Sequence, residues 1–312
     1  MSVILAIDIG GTQLRVAIYP KDSTEPVTIQ RAPTRGMEDG AFDRLTALLD
    51  SVWPKEPVEA ISVAAPGPLN PYLGVIIETP NIPAWKNYPL AQMLTDRYQV
   101  PTFLGNDANL AALGEWKYGA GQGHHDIVYL TISTGLGGAA ICSDMLVEGW
   151  RGMATELGHV TVLPGGPVCS CGVRGHLEAV AAGPAIAKYV GEKIAEGRQS
   201  ILQPGTTLTA REVAEAAKQG DELAKEAFVR AGGFIGQATA DFLHIFNPSI
   251  VIFGGGVSLS GDLIMDPIRE SMRRNVMDPA YLDGLKLATA KLGDDAGLLG
   301  SLAQAHVRLS KR

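Results

Sequence analysis

The chain predicts an α/β fold with mixed sheets, and three observations carry that prediction. Apolar runs of strand length alternate with segments of helical apolar spacing along the whole sequence. A strand, a glycine turn and a return strand open the chain in "VILAIDIGGTQLRVAIY" and recur in outline in "DIVYLTISTGLGGAAICSD". The 312 residues are 46% hydrophobic and 19% charged, which suits one large globular domain or two medium ones.

The elements follow in order. Val3–Asp8 and Leu14–Tyr19 are β-rich runs joined by Gly10–Gly11–Thr12, a glycine-turn hairpin. Ala41–Val52 has helical spacing, and Val58–Ala64 is a strand that ends in the turn cluster "APGPLNP". "PLAQMLTDRYQV" reads as a helix, "PTFLG" as a strand and "ANLAALGEWKYG" as a helix closed by the glycine-rich "GAGQGHH". "DIVYLTIS", "TGLGG" and "AAICSD" repeat the opening pattern as strand, turn and strand. Helices are predicted over Pro184–Ala195, Ala210–Gln219, Glu222–His244 and Leu263–Asn275, with strands in "SIVIFGGGVS" and "LKLATA". "AGLLGSLAQAHVRL" is a terminal helix, and the break near Lys117–His124 is the candidate domain boundary.

A net charge of −7 and a pI near 5.4 leave no basic stripe to neutralise phosphates, which argues against nucleic acid and anionic membrane as partners. No uncharged apolar stretch is long enough to span a bilayer, and the opening run has neither a basic leader nor a cleavage site. Three cysteines, two of them at Cys169 and Cys171, are too few for a disulfide scaffold and point to reduced thiols in a cytoplasmic setting.

Three glycine turns are candidates for phosphate binding: Asp8–Thr12, Ser133–Gly138 and Gly254–Gly256. Glycines let backbone amides converge on an anion, although a hairpin turn alone also needs glycine. None ends in the Lys-Ser/Thr of a Walker loop, and none has the dinucleotide spacing between strand and helix. "FLGNDANLAALGEW" sets Asn106 and Asp107 at a strand end just before a helix. Asp107 reads either as the helix N-cap or as a general base at the carboxyl edge of a sheet, where α/β clefts open. "GMATELGHV" and "VCSCGVRGHLEAV" supply His159, Cys169, Cys171 and His176, a Cys2His2 set suited to tetrahedral zinc. Its spacing, His-x9-Cys-x-Cys-x4-His, is not that of a zinc finger. Glu156 and Glu178 are interleaved with these residues, and a metal would fix their direction toward the hydroxyls of a polar substrate.

These segments, taken as an ordered set, resemble the ROK family of repressors and sugar kinases, and the resemblance runs through nearly the whole chain. "DIGGTQLRVAIY" resembles its first phosphate loop, "AAPGPLNPYLGVIIETPNIPAWKNYPL" its sugar-side segment and "GNDANLAALGEW" its catalytic segment. "TISTGLGGAAI" resembles the second phosphate loop, "ATELGHV" with "CSCGVRGHLEA" the Glu-x-Gly-His and zinc signatures, and "IVIFGGGVS" the adenosine-side loop. The resemblance implies an actin-like ATPase (ribonuclease H-like) fold with two α/β domains flanking a cleft. The smaller would hold residues 1–117 plus about 295–312, and the larger residues 118–294 with the zinc loop. It implies ATP-dependent phosphorylation of a hexose, most readily glucose to glucose 6-phosphate, with Asp107 as general base. Gly67, Asn81, Asn106, Glu156, His159 and Glu178 would hold the sugar, His159 doubling as a metal ligand. Asp8 would help position Mg2+, while Gly10, Gly11, Thr12, Thr134, Gly135, Gly138, Gly254 and Gly255 approach ATP. Structural Zn2+ would sit on His159, Cys169, Cys171 and His176. A homodimer or homotetramer is also implied.

Two residues depart from the family pattern. His176 stands where the family has a third cysteine, which makes the ligand set formally neutral. Thr155 stands where glycine commonly precedes the acidic residue. N-acetylmannosamine, N-acetylglucosamine, fructose or mannose as substrate, polyphosphate as donor, and a non-catalytic sugar-binding protein are the alternatives. A repressor would carry a helix-turn-helix module before the first phosphate loop, and here that loop begins at Asp8.

Overall fold

The computed structural model describes residues 2–34, 40–79, 82–203 and 207–310. Two compact units emerge, one of Met1–Gly123, Leu146–Thr155 and Lys291–Arg312, the other of His124–Met145 and Glu156–Ala290.

In the first unit, strands β1 (Val3–Ile9), β2 (Gln13–Pro20) and β3 (Thr28–Pro33) precede helix α1 (Ala41–Val52). Then come β4 (Val58–Ala65), the short β5 (Leu69–Asn70) and β6 (Val75–Ile76), α2 (Leu90–Tyr98), β7 (Thr102–Asn106) and α3 (Asp107–Tyr118). The sheet order is β3-β2-β1-β4-β7, antiparallel through the first three strands and parallel from β1 to β7. Successive side chains of β1 point to opposite faces. Leu5, Ile7 and Ile9 pack with Leu45, Leu49, Leu90 and Leu94 on one face. Ile4 and Ala6 pack with Leu298 and Leu302 on the other. Both faces are covered, so β1 is a near-continuous apolar run rather than an alternating one. Each of these large side chains contributes roughly 1.5–3 kcal/mol by leaving water.

The second unit contains β8 (Ile127–Ile132), β9 (Leu136–Cys142) and the first residue of the short β10 (Met145–Leu146). It continues through α4 (Leu177–Ala181), α5 (Gly183–Ala195), α6 (Ala210–Lys218), α7 (Glu222–Phe246), β11 (Ile250–Gly254), α8 (Asp262–Asn275) and β12 (Lys286–Thr289). Its sheet order, β10-β9-β8-β11-β12, matches that of the first unit: an antiparallel hairpin and then parallel strands. The outline repeat of strand, glycine turn and strand is therefore a duplicated sheet topology. The last helix, α9 (Ala296–Leu309), belongs to the first unit and packs on β1 and α3. Among the described residues, no helix is long and apolar enough to cross a membrane.

Two details differ from the sequence expectation. The return strand of the second hairpin begins at Leu136, so the turn is confined to residues 133–135 and Gly138 lies inside β9, paired with Leu130. A Cβ on Gly138 would meet the Leu157 side chain at 2.8 Å, so close packing accounts for the glycine. The strand β3 has no apolar alternation to announce it; its place is set by pairing with β2.

Candidate active site and metal centre

Asn106, at the end of β7, is the N-cap of α3. Its Oδ1 accepts the N–H groups of Ala108 at 3.0 Å and Asn109 at 3.2 Å. The cap role thus falls to Asn106, and Asp107 becomes the first residue of the helix, exposed, with Oδ1 also accepting the Ala108 N–H at 2.8 Å. A carboxylate here gains from the helix dipole. Gly67 lies beside the same cap, since a Cβ there would meet Asn106 Nδ2 at 3.1 Å. Asn81 lies outside the described residues.

The first glycine turn is pinned from its own sheet. The Gly10 N–H donates to the Gln13 carbonyl at 2.9 Å, so that amide is already in use within the hairpin. The buried Thr34 donates its hydroxyl to the Gly10 carbonyl at 2.6 Å and its N–H to the Thr12 carbonyl at 2.9 Å. Gly11 and Thr12 are exposed at the tip. Asp8, on β1, pairs with Arg15 on β2 at 2.6 Å, and Arg15 also donates to the Asp294 carbonyl. Gly297 closes on the Asp8 carboxylate, which an added Cβ would meet at 2.9 Å.

In the second unit, Ser133 and Thr134 line a cavity of about 710 Å³ together with Gly183, Pro184, Gly256 and Val257. The N-terminus of α5, which begins at Gly183, borders the cavity, its first N–H donating to the Ser133 carbonyl at 2.8 Å. Gly255 adopts a positive φ of 80°, and a Cβ would strike the Ile132 carbonyl at 2.3 Å, so both conformation and space demand glycine. Gly254 packs on Tyr129, whose hydroxyl oxygen lies 2.5 Å from an added Cβ. Sequence reasoning missed the far wall of the cavity, which includes Thr209, Arg211 and Lys218 of α6 and its cap. The signal was there: Thr209 and Glu212 form a capping box, and Arg211 and Lys218 are seven residues apart on one helix face.

The four residues read as metal ligands come together. One ligand atom from each of His159, Cys169, Cys171 and His176 lies within 4.8 Å of the others. His159 Nδ1 faces Cys169 Sγ at 3.5 Å, and His176 Nδ1 faces Cys171 Sγ at 3.2 Å. Two thiols and two imidazoles converging this way fit zinc better than a hard cation. Burial, helped by the bond to Glu178, pushes the Cys169 thiol up to about 11. All three cysteines are free thiols.

Glu156 and Glu178 lie near this cluster but in different electrostatic surroundings. Desolvation raises the Glu156 carboxyl above the usual range, with His159 opposing the shift and Glu178 adding to it. Burial also pulls Glu178 up, yet the hydrogen bonds from Ser170, the Leu136 N–H and Cys169 outweigh it and hold that carboxyl low. Thr155, just before Glu156, sits at a φ of +67°, a strained region for a β-branched residue, with its hydroxyl 3.2 Å from Asn109 Oδ1.

The duplicated α/β sheets are those of the actin-like ATPase fold, which solved ROK kinases similar to this chain also have. The ROK family profile matches residues 4–308, and the chain belongs to the ROK family. A glucokinase of Thermotoga maritima is 36% identical over 312 residues, 98% of each chain. A ROK glucokinase from Streptomyces griseus, solved with glucose and AMPPNP, is 32% identical with a TM-score of 0.81, covering 98% of this chain and 99% of that one. A ROK hexokinase from Thermus thermophilus is 34% identical with a TM-score of 0.83, covering 99% and 100%.

Proposed function

We propose that the chain is a sugar kinase that moves the terminal phosphoryl group of ATP to the primary hydroxyl of a hexose, glucose first, giving glucose 6-phosphate. The observation that carries this reading is Asp107, an exposed carboxylate at a strand end that Asn106 relieves of the main capping duty. The Thermotoga and Streptomyces glucokinases support the reaction class and the sugar.

The chemistry asks little covalent work of the protein. As the sugar oxygen bonds to phosphorus, Asp107 accepts its proton, the bond to the bridging oxygen breaks, and ADP leaves with the electron pair. Asn106, Glu156, His159 and Glu178, with Gly67 and Asn81, hold the remaining hydroxyls. With His159 Nδ1 turned to the cysteines, Nε2 is the atom for the sugar. Gly11 and Thr12 from the first turn, Thr134 on the cavity wall, and Gly135 and Gly255 next to its lining residues in the chain, approach the phosphates and nucleoside. Gly10 supports the first turn through its N–H bond to the Gln13 carbonyl, and Gly138 and Gly254 support the others by close packing. Asp8 would hold Mg2+, which when bound neutralises phosphate charge. His159, Cys169, Cys171 and His176 would hold Zn2+, which supplies a cross-link to a loop with little core of its own.

The division into residues 1–117 with about 295–312, and 118–294, draws support from the two compact units, except that Leu146–Thr155 clusters with the first of them rather than the second. Free thiols support a cytoplasmic setting. A homodimer or homotetramer follows from the family resemblance, and sedimentation velocity decides between them. The function is tested with a panel of hexoses and aminosugars under coupled ADP detection. Glucose is expected to give the highest kcat/KM, and absence of turnover on every sugar would sink the reading.

A further inference from the structure

Glu178 is held through both of its oxygens by the protein itself. Oε2 accepts the Leu136 N–H at 3.1 Å, and Oε1 accepts the Ser170 hydroxyl at 2.6 Å. The Cys169 thiol is a second donor to Oε1, at 3.3 Å. Ser170 stands between the two cysteines of the metal set. Leu136 follows the turn whose Ser133 and Thr134 line the 710 Å³ cavity. A Cβ on Gly135 would lie 2.8 Å from Oε2, so only glycine lets the carboxylate close on that turn. One side chain thus joins the cysteine loop to the cavity wall.

The two donors to Oε1 respond differently to a metal. A cysteine ligates as thiolate and then has no proton to give. The Ser170 hydroxyl keeps its proton, and a hydroxyl–carboxylate bond is among the stronger hydrogen bonds. A carboxylate has about four lone-pair sites, so Glu178 retains capacity for a sugar hydroxyl while it holds both loops.

We propose that Ser170 is a positioning residue whose hydroxyl fixes Glu178 between the metal loop and the second glycine turn, so that order in that loop sets affinity for the nucleotide. The inference rests on reading the cavity as the nucleotide site. Its signature is weaker nucleotide binding with no sugar present; a residue serving the sugar alone would leave that affinity unchanged.

The test is calorimetric titration of AMPPNP, without sugar, into zinc-loaded wild type, Ser170→Ala and Ser170→Thr, with zinc content measured by mass spectrometry. Ser170→Ala should keep its zinc and bind AMPPNP about 3- to 10-fold more weakly, the scale of one charge-assisted hydrogen bond partly transmitted. Ser170→Thr, which retains the hydroxyl, should return to within about twofold of wild type. Unchanged AMPPNP binding in Ser170→Ala, or zinc loss in that variant, overturns the relay alone. Failure of the wild type to bind AMPPNP overturns the nucleotide reading and the relay with it.

Discussion

The two five-stranded sheets share one strand order, yet their glycine turns are held by different means. The β1–β2 turn is fixed by Thr34, which follows the neighbouring strand β3 and binds the carbonyls of Gly10 and Thr12. The β8–β9 turn leans on Glu178, 42 residues beyond Leu136 and tethered to a cysteine loop. The strand ends also differ. β7 runs into Asn106 and Asp107, whereas its counterpart β12 runs into Ala290 and Lys291. Repeated topology builds the frame twice, and the proposed division of labour, proton transfer in one half and a metal-ordered wall in the other, rests on divergence at loops and strand ends.

The largest expected effect tests that division directly. Asp107→Asn should lower kcat by about 10²–10⁴-fold while sugar binding, followed by titration, persists. Retained turnover would erase the distinction between the strand ends. Cys169→Ala should follow, with zinc content reduced and kcat/KM lower by at least about 10-fold, since changing even a residue that only supports a metal ligand costs that much. Full zinc content in that variant would remove Cys169 from the ligand set.

Thr34→Val should act on the other turn. Removing its hydroxyl strands the Gly10 carbonyl, which costs about 1–3 kcal/mol in urea unfolding and raises the KM for ATP several-fold, with zinc content unchanged. Combined with Ser170→Ala, its effect on AMPPNP binding should add to within about 0.5 kcal/mol if the turns are held independently. A larger coupling energy would show that they are not.

The smallest effect concerns the scaffold of the second unit. Asp221 caps the 25-residue α7 through the Ala224 N–H and also accepts from Ser200 and Ile201. Burial raises its carboxyl, but those bonds prevail and hold it below the usual value. A depressed carboxyl stabilises fully above the unfolded value of about 3.9, and that share is lost as pH falls through the folded value. Asp221→Ala should cost about 0.5–2 kcal/mol near neutrality, with the gap from wild type closing in acid. A gap unchanged at low pH would count against the charged cap.

Much of this was legible because it is local. Strand runs, helical spacing and glycine punctuation depend on neighbours a few residues apart, so β1, α1, α7 and α9 could be read within a residue or two. β3 could not, because its residues are half exposed and only pairing with β2 makes them a strand. The candidate ligands were visible as a cysteine–histidine pattern, and Asp107 as one of two uses for an aspartate before a helix. The placement of Asn106 Oδ1 over the first helical N–H groups gives the cap to Asn106, and the base remains the use proposed for Asp107.

What the sequence determined by itself was the order of the long buried elements, the outline of the doubled hairpin and the inventory of reactive side chains, since each is written in residue type and short spacing. What only the tertiary structure decided was which of those side chains meet: Glu178 with Leu136 and Ser170, Thr34 with Gly10, α6 with the cavity. Hydrogen bonds and close packing are fixed to tenths of an ångström by chain segments far apart in sequence, and no local pattern encodes that distance.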